Sequence, residues 1–489
     1  MNLISTRNTN DSISSVEAVL KGIAHDGGLF VPEIFPQIDM KNIEEWGRLS
    51  YAECAARVME YYFDLPIDTL QRITERAYQT FSDKEVVPIQ KIGERDYVME
   101  LFHGPTLAFK DMALQVLPGL MEQALLDSEK DVLILTATSG DTGKAALEGF
   151  KDAARTKIAV FFPKDGVSDM QRLQMTAQEG ENVYVAAIRG NFDDTQTMVK
   201  QLFADRAFED AVGEKGYVLS SANSINFGRL APQIAYYIYT YARLVAAKEL
   251  ARGTEVNVVV PTGNFGNILA AYYAKRMGLP FGKLICASNK NNVLTDFFES
   301  GVYAANREFY QTISPSMDIL VSSNLERLLF EAYGRNSSSV KEQMSEMAMH
   351  NHYAIDTSTR LEMIKDFYAD FADEFPTMNS IKRMFESYGY LMDPHTAVAR
   401  TVHEKYKKLT GDRTPSIIAA TASPFKFSQD VLFAITKERV GNPFEAAYTL
   451  AELANSEVPQ QLRALETAEE RFTDIIDKEH MAEKVLENL

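Results

Sequence analysis

Lys110 follows the stretch Phe102-His103-Gly104-Pro105-Thr106-Leu107-Ala108-Phe109, which is apolar, aromatic and turn-forming, and precedes Asp111. Burying such a lysine disfavours its ammonium, and the neutral amine can then attack a carbonyl to form a Schiff base. The same position also fits a surface lysine that opens a helix over 111–120. Two loops have the composition of anion cradles. The apolar run 256–260 leads through Pro261-Thr262 into Gly263-Asn264-Phe265-Gly266-Asn267 and then into a helical run from Ile268. In such a strand–glycine–helix turn the backbone comes close to an anion and the helix N-terminal N–H groups point at it. A plain strand-to-helix turn has the same outline. Asn264 and Asn267 could add side-chain donors.

The second loop is Thr136-Ala137-Thr138-Ser139-Gly140-Asp141-Thr142-Gly143-Lys144-Ala145. It is not a P-loop, because Thr138 replaces the first glycine and Ala145 the magnesium-binding hydroxyl. Ser139, Gly140 and Thr142 at a helix start suit a small carboxylate or phosphate, with Asp141 expected to cap the helix or orient the loop. Lys110 and the Gly263–Asn267 loop together meet two needs of pyridoxal phosphate, a covalent anchor and a phosphate site. Thr421, at the end of the run 417–420, offers a hydroxyl for the pyridine nitrogen.

These residues need strands and helices to hold them. Short β-branched runs at 97–102, 132–136, 158–162, 183–188, 256–260, 284–287 and 417–420 alternate with helix-length segments. That alternation predicts an α/β fold whose mainly parallel sheets are covered on both faces. The first ninety residues read as mostly helical, broken by Asp26-Gly27-Gly28-Leu29-Phe30-Val31-Pro32, and 465–483 as a solvated surface helix. The chain has 489 residues, enough for two or three domains. Its 46% hydrophobic content supports a core, which excludes a disordered tail protein. With 50 basic and 68 acidic residues the net charge is −18, which argues against nucleic-acid binding and hints at neutral or cationic partners. Cys54 and Cys286 are too few and too far apart for a disulfide framework. No basic segment followed by an apolar run opens the chain, and no long apolar stretch interrupts it, so a cytoplasmic protein without membrane contact is expected. His350 and His352 read as exposed residues, and no metal site is expected.

The order and wording of the motifs resemble the threonine synthase family, in its longer branch with an extra N-terminal region. The resemblance rests on Ser5-Thr6-Arg7, the Asp26–Pro32 segment, the Phe102–Asp111 stretch, Ser139-Gly140-Asp141-Thr142-Gly143 and Gly190-Asn191-Phe192-Asp193-Asp194. It continues through Ser221-Ala222-Asn223-Ser224-Ile225-Asn226, Gly263–Asn267, Ser316-Met317-Asp318-Ile319 and Asp393-Pro394-His395-Thr396-Ala397-Val398-Ala399. It implies a fold-type-II pyridoxal-phosphate enzyme, similar to the tryptophan synthase β chain, with two open, mainly parallel twisted sheets and a mostly helical N-terminal domain. The expected units are 1–92; 93–128 with 229–489, holding the cofactor; and 129–228, carrying the Ser139–Gly143 loop.

By position, the resemblance makes Lys110 the cofactor lysine, Gly263, Asn264, Phe265, Gly266 and Asn267 the phosphate loop, and Thr421 the pyridine-nitrogen ligand. It makes Ser139, Gly140, Asp141 and Thr142 the substrate loop, and leaves Lys144, Arg172, Arg229 and the hydroxyls of Ser139 and Thr142 as candidates for the substrate phosphate. The implied reaction turns O-phospho-L-homoserine and water into L-threonine and phosphate, the last step of threonine biosynthesis. A phospho-lyase, a serine/threonine dehydratase and, from another class, a nucleotide-binding kinase or a non-catalytic protein are the rival readings. The family's Thr-Ala-His-Pro-Ala-Lys-Phe is here Thr421-Ala422-Ser423-Pro424-Phe425-Lys426-Phe427, with Ser423 in place of the histidine. Oligomeric state, monomer or dimer, is not legible.

Overall fold

All seven apolar runs form strands, and each strand is followed by a loop or turn that carries polar residues. The computed structural model describes residues 1–126, 128–138, 140–164, 167–190 and 192–489. Strands β1 (Asn2–Ser5), β2 (Asn8–Ser14) and β3 (Phe30–Pro32) form an antiparallel sheet with β1 in the centre. Next, β4 (Ile89–Lys91) and β5 (Asp96–Glu100) begin a larger sheet, and β6 (Asp131–Ala137), β7 (Thr156–Pro163), β8 (Val183–Ile188) and β9 (Tyr217–Ser220) build a smaller one. The chain then returns to the larger sheet with β10 (Val256–Pro261) and β11 (Phe281–Ser288), and β12 (Val302–Ala304) pairs separately with β13 (His352–Ala354). Finally β14 (Phe367–Phe371) and β15 (Ser416–Ala420) complete the larger sheet, and β16 (Ile475–Ile476) joins the smaller.

The larger sheet runs β14-β11-β10-β15-β5-β4, parallel except for the β4–β5 pair, and the smaller runs β16-β8-β7-β6-β9, parallel throughout. Val256, Val258, Val259 and Val260 are all fully buried, as expected for a strand covered on both faces. The helix Phe227–Ala246 is buried along most of its length. The N-terminal helix Tyr51–Glu60 packs on it through Tyr51, whose ring lies 5.2 Å from Tyr239.

Two expectations need correction. The N-terminal region is helical only in part, since β1–β3 occupy its first third. Residues 465–483 do not form one helix: the segment adds β16 beside β8, and Met481 and Val485 sink into the core of the smaller sheet. The C-terminal tail therefore belongs with the smaller layer and not with the remainder of 229–489. The charged residues suggested a solvated helix, but burying two apolar side chains, worth roughly 1.5–3 kcal/mol each, decides the placement.

Candidate active site

A cleft opens at the C-terminal ends of β6, β10 and β15, where strand ends leave loops free to carry side chains. Lys110, Ser316, His395, Thr421 and the Gly263–Asn267 loop face it from the larger layer, Thr138 and Thr142 from the smaller, and Arg229 from the long helix.

The loop before Lys110 is folded by its own residues. The buried Asp111 carboxylate accepts the Thr106 N–H at 2.8 Å and the Thr106 hydroxyl at 2.6 Å. Burial outweighs these bonds and pushes the Asp111 carboxyl up to about 6. Phe109 N–H donates to Thr421 O at 2.8 Å and Ser423 N–H to Leu107 O at 3.1 Å, tying the loop to the end of β15. Lys110 is thereby largely enclosed, its side chain 11% exposed, and its Nζ donates to Ser316 Oγ at 3.2 Å and Asp141 Oδ2 at 3.4 Å. Burial holds its ammonium below the usual lysine range, with Asp141 acting in the opposite sense.

Asp141 is the first residue of the helix Asp141–Phe150, which packs so closely on the helix after Lys110 that a Cβ on Gly149 would lie 2.1 Å from Leu114 O. Its side chain does not cap that helix. Instead Oδ1 accepts from Lys426 Nζ at 2.7 Å and Gln171 Nε2 at 3.0 Å, and Oδ2 accepts from Ser316 Oγ at 3.1 Å. Although burial would raise its carboxyl, Lys426 and Lys110 hold it well below the usual range. Of the two roles expected for it, capping the helix or orienting the loop, the capping one is absent, because two ammonium groups and the Ser316 and Gln171 donors take up the carboxylate.

In the Gly263–Asn267 loop, a Cβ on Gly263 would come within 2.7 Å of Ser316 O. Phe265 takes a left-handed φ of 64°, and its buried ring packs 5.6 Å from that of Phe367, which offsets the strain. Ser322 Oγ donates to Gly263 O at 2.7 Å and Asn324 Nδ2 to Asn264 O at 3.0 Å, so the carbonyls are held from behind. Glu326, in the same segment, accepts from Thr6 Oγ1 at 2.6 Å and Arg7 Nη2 at 2.8 Å, so the N-terminal sheet buttresses this loop. Asn267 Oδ1 accepts from Tyr236 at 2.8 Å and Tyr237 at 2.5 Å, while its buried Nδ2 has no partner among the described residues.

Arg229 is buried, donates from Nη1 to Ala222 O at 2.9 Å, and leaves Nε unpartnered. Among the described residues no carboxylate pairs with it. Burial lowers its guanidinium to about 10. An uncompensated buried cation costs several kcal/mol, roughly, so an anion in the cleft is its natural complement.

The chain matches three family models in sequence order: "Threonine synthase N terminus" over residues 2–78, "Pyridoxal-phosphate dependent enzyme" over 86–364, and "Threonine synthase, C-terminal" over 396–485. It is 38% identical over 460 residues to threonine synthase of Pseudomonas aeruginosa, covering 94% of each chain. The chain belongs to the threonine synthase family. A crystal structure of pyridoxal-phosphate-bound threonine synthase from Brucella melitensis superposes with a TM-score of 0.88 at 36% identity, covering 100% of this chain and 99% of that one. Human threonine synthase-like 1 is 40% identical over 434 residues, and the match spans 86% of this chain but only 58% of that longer protein.

The cofactor of this threonine synthase family member is pyridoxal phosphate, and its residues fit that group. The orphaned Asn267 Nδ2 and the close approach at Gly263 suit a phosphate. The Thr421 hydroxyl, at the cleft with no hydrogen-bond partner among the described residues, is free for a ring nitrogen.

Several expected site residues fall elsewhere. Lys144 does not line the cleft; it pairs with Glu148 at 2.9 Å and Gln178 at 2.5 Å. Arg172 is half-exposed on Glu470 at 2.5 Å. Both follow from helix geometry, which turns these long side chains away from the loop end. Gly140 N–H is committed to Thr138 Oγ1 at 3.0 Å, Thr142 lines the cleft, and Ser139 lies outside the described residues. Ser423 caps the turn Pro424–Phe427, accepting from Phe425 N–H at 3.4 Å. An unanticipated imidazole nevertheless reaches the cleft: His395 accepts Ser316 N–H at Nε2, 3.1 Å away. Lys426, Ser316 and Gln171 also had no role assigned from sequence; for Lys426, the signal was a charged residue in an otherwise apolar stretch.

Proposed function

We propose that the chain converts O-phospho-L-homoserine and water into L-threonine and inorganic phosphate in the cytoplasm, the last step of threonine biosynthesis. One observation supports this most directly: a largely enclosed amine shares one cleft with a loop suited to phosphate and a buried guanidinium lacking a carboxylate partner among the described residues. That pairing suits a phosphorylated substrate beside a phosphorylated cofactor. It also answers the net charge of −18, because local N–H groups and a few cations bind the anions while the acidic surface keeps the protein soluble.

Bound pyridoxal phosphate supplies an electron sink for charge that develops beside the substrate amine. Gly263–Asn267 would hold its phosphate and Thr421 its ring nitrogen, as a neutral partner. Lys110 would anchor the cofactor and then, once freed, move protons at the substrate carbons. Burial lowers its proton affinity, which favours the neutral amine that a base requires. Thr142 and the N–H groups at the start of its helix would take the substrate carboxylate, and Arg229 the leaving phosphate. Product analysis with O-phospho-L-homoserine tests the reading: threonine and phosphate in equal amounts are expected, whereas 2-oxobutyrate without threonine would replace it with a phospho-lyase.

A further inference from the structure

Ser316, from the motif Ser316-Met317-Asp318-Ile319, has no part in the reaction as described so far. Its hydroxyl lies 3.2 Å from Lys110 Nζ, the proposed reacting amine, and 3.1 Å from Asp141 Oδ2, the carboxylate paired with that amine. A carboxylate only accepts hydrogen bonds, and Lys426 at 2.7 Å keeps Asp141 ionised. The hydroxyl proton is therefore committed to Asp141, and the Ser316 oxygen can only accept from Lys110. Asp141 Oδ2, at 3.4 Å, is the second acceptor. Together the two take both N–H bonds of a neutral lysine amine and leave its lone pair directed away from them.

The backbone of Ser316 is fixed as firmly as its hydroxyl. Its N–H donates to His395 Nε2 at 3.1 Å, so His395 carries its proton on Nδ1 and donates it to Asp393 Oδ1 at 2.7 Å. Asp318, two residues on, accepts from Asn289 at 2.7 Å and Asn291 at 2.9 Å.

We propose that Ser316 is a positioning residue: a fixed acceptor that aims the Lys110 lone pair and raises the proton affinity of that amine. This rests on the reading that Lys110 is the reacting amine. The other charged groups facing Lys110 are Asp141 from the helix 141–150, Lys426 from the turn 424–427 and Arg229 from the helix 227–246. None of them offers a neutral acceptor.

Ser316→Ala and Ser316→Thr in the full chain test the proposal through two readouts. The first is acetylation of Lys110 by acetic anhydride across pH in cofactor-free protein, followed by mass spectrometry. Ser316→Ala should move the midpoint to lower pH, because losing an acceptor disfavours the ammonium, and Ser316→Thr should keep it. The second is turnover: kcat should fall about tenfold in Ser316→Ala with little change in KM, in line with the loss of one hydrogen bond. A native midpoint in Ser316→Ala, or a loss confined to KM, overturns the proposal. Should Ser316→Ala fail to fold, Ser316→Cys, similar in size and a weaker acceptor, carries the same comparison. If the native chain makes no threonine, the proposed reaction fails while the labelling still decides the role of Ser316.

Discussion

Asp141 places its two oxygens on different lysines: Oδ1 lies 2.7 Å from Lys426 Nζ and Oδ2 3.4 Å from Lys110 Nζ. The carboxylate comes from the smaller layer and both ammonium groups from the larger, so one buried anion bridges the two layers. Lys426 is fully buried, which leaves water no part in compensating either charge.

Removing the cation alone should therefore be costly. Lys426→Met is expected to destabilise the protein by roughly 3–5 kcal/mol in urea at neutral pH, because the carboxylate loses its nearest partner. Lys426→Met/Asp141→Asn should recover much of that loss. A double variant no more stable than Lys426→Met would mean the two charges are not coupled. The native pair also has a pH signature. Because the Asp141 carboxyl is depressed on folding, its contribution is complete above the unfolded value of about 3.8 and is lost as pH falls toward the folded one.

Lys110→Ala should abolish the visible absorbance of bound cofactor and lower threonine formation by roughly 10²–10⁴-fold, the span of a general acid–base contribution. Retained absorbance in that variant would place the covalent anchor elsewhere.

Arg229 and Lys144 separate a cation in the cleft from one outside it. Arg229→Met is expected to raise KM for O-phospho-L-homoserine roughly ten- to a hundredfold, from loss of a charge-assisted hydrogen bond worth about 1.5–3 kcal/mol. Lys144→Met, which breaks only the pairing with Glu148 and Gln178, should leave KM unchanged. Steady-state kinetics of the two variants would contradict the assignment if their effects were reversed.

Gly263→Ala should push Ser316 away, since the added methyl would meet Ser316 O at 2.7 Å. Weaker cofactor binding and lower kcat are both expected, read from absorbance titration and turnover. Native affinity would show that the loop relaxes without cost.

The sequence by itself determined the strands, the strand–loop–helix units and a candidate lysine, Lys110, that the fold brings to the cleft. Each of these is written locally, in β-branched runs, in glycines at a turn and in a lysine behind an aromatic loop. The tertiary structure decided the partners. Asp141 and Lys426 are 285 residues apart, and Ser316 lies 206 from Lys110, so no spacing could pair them. It also sent Lys144 out of the cleft and drew β16 onto the smaller sheet, because a helix face and a sheet edge exist only once the layers have packed. Residue type announces what a side chain can do. Which charge it meets, and whether water is excluded from the meeting, depends on contacts that only the folded chain makes.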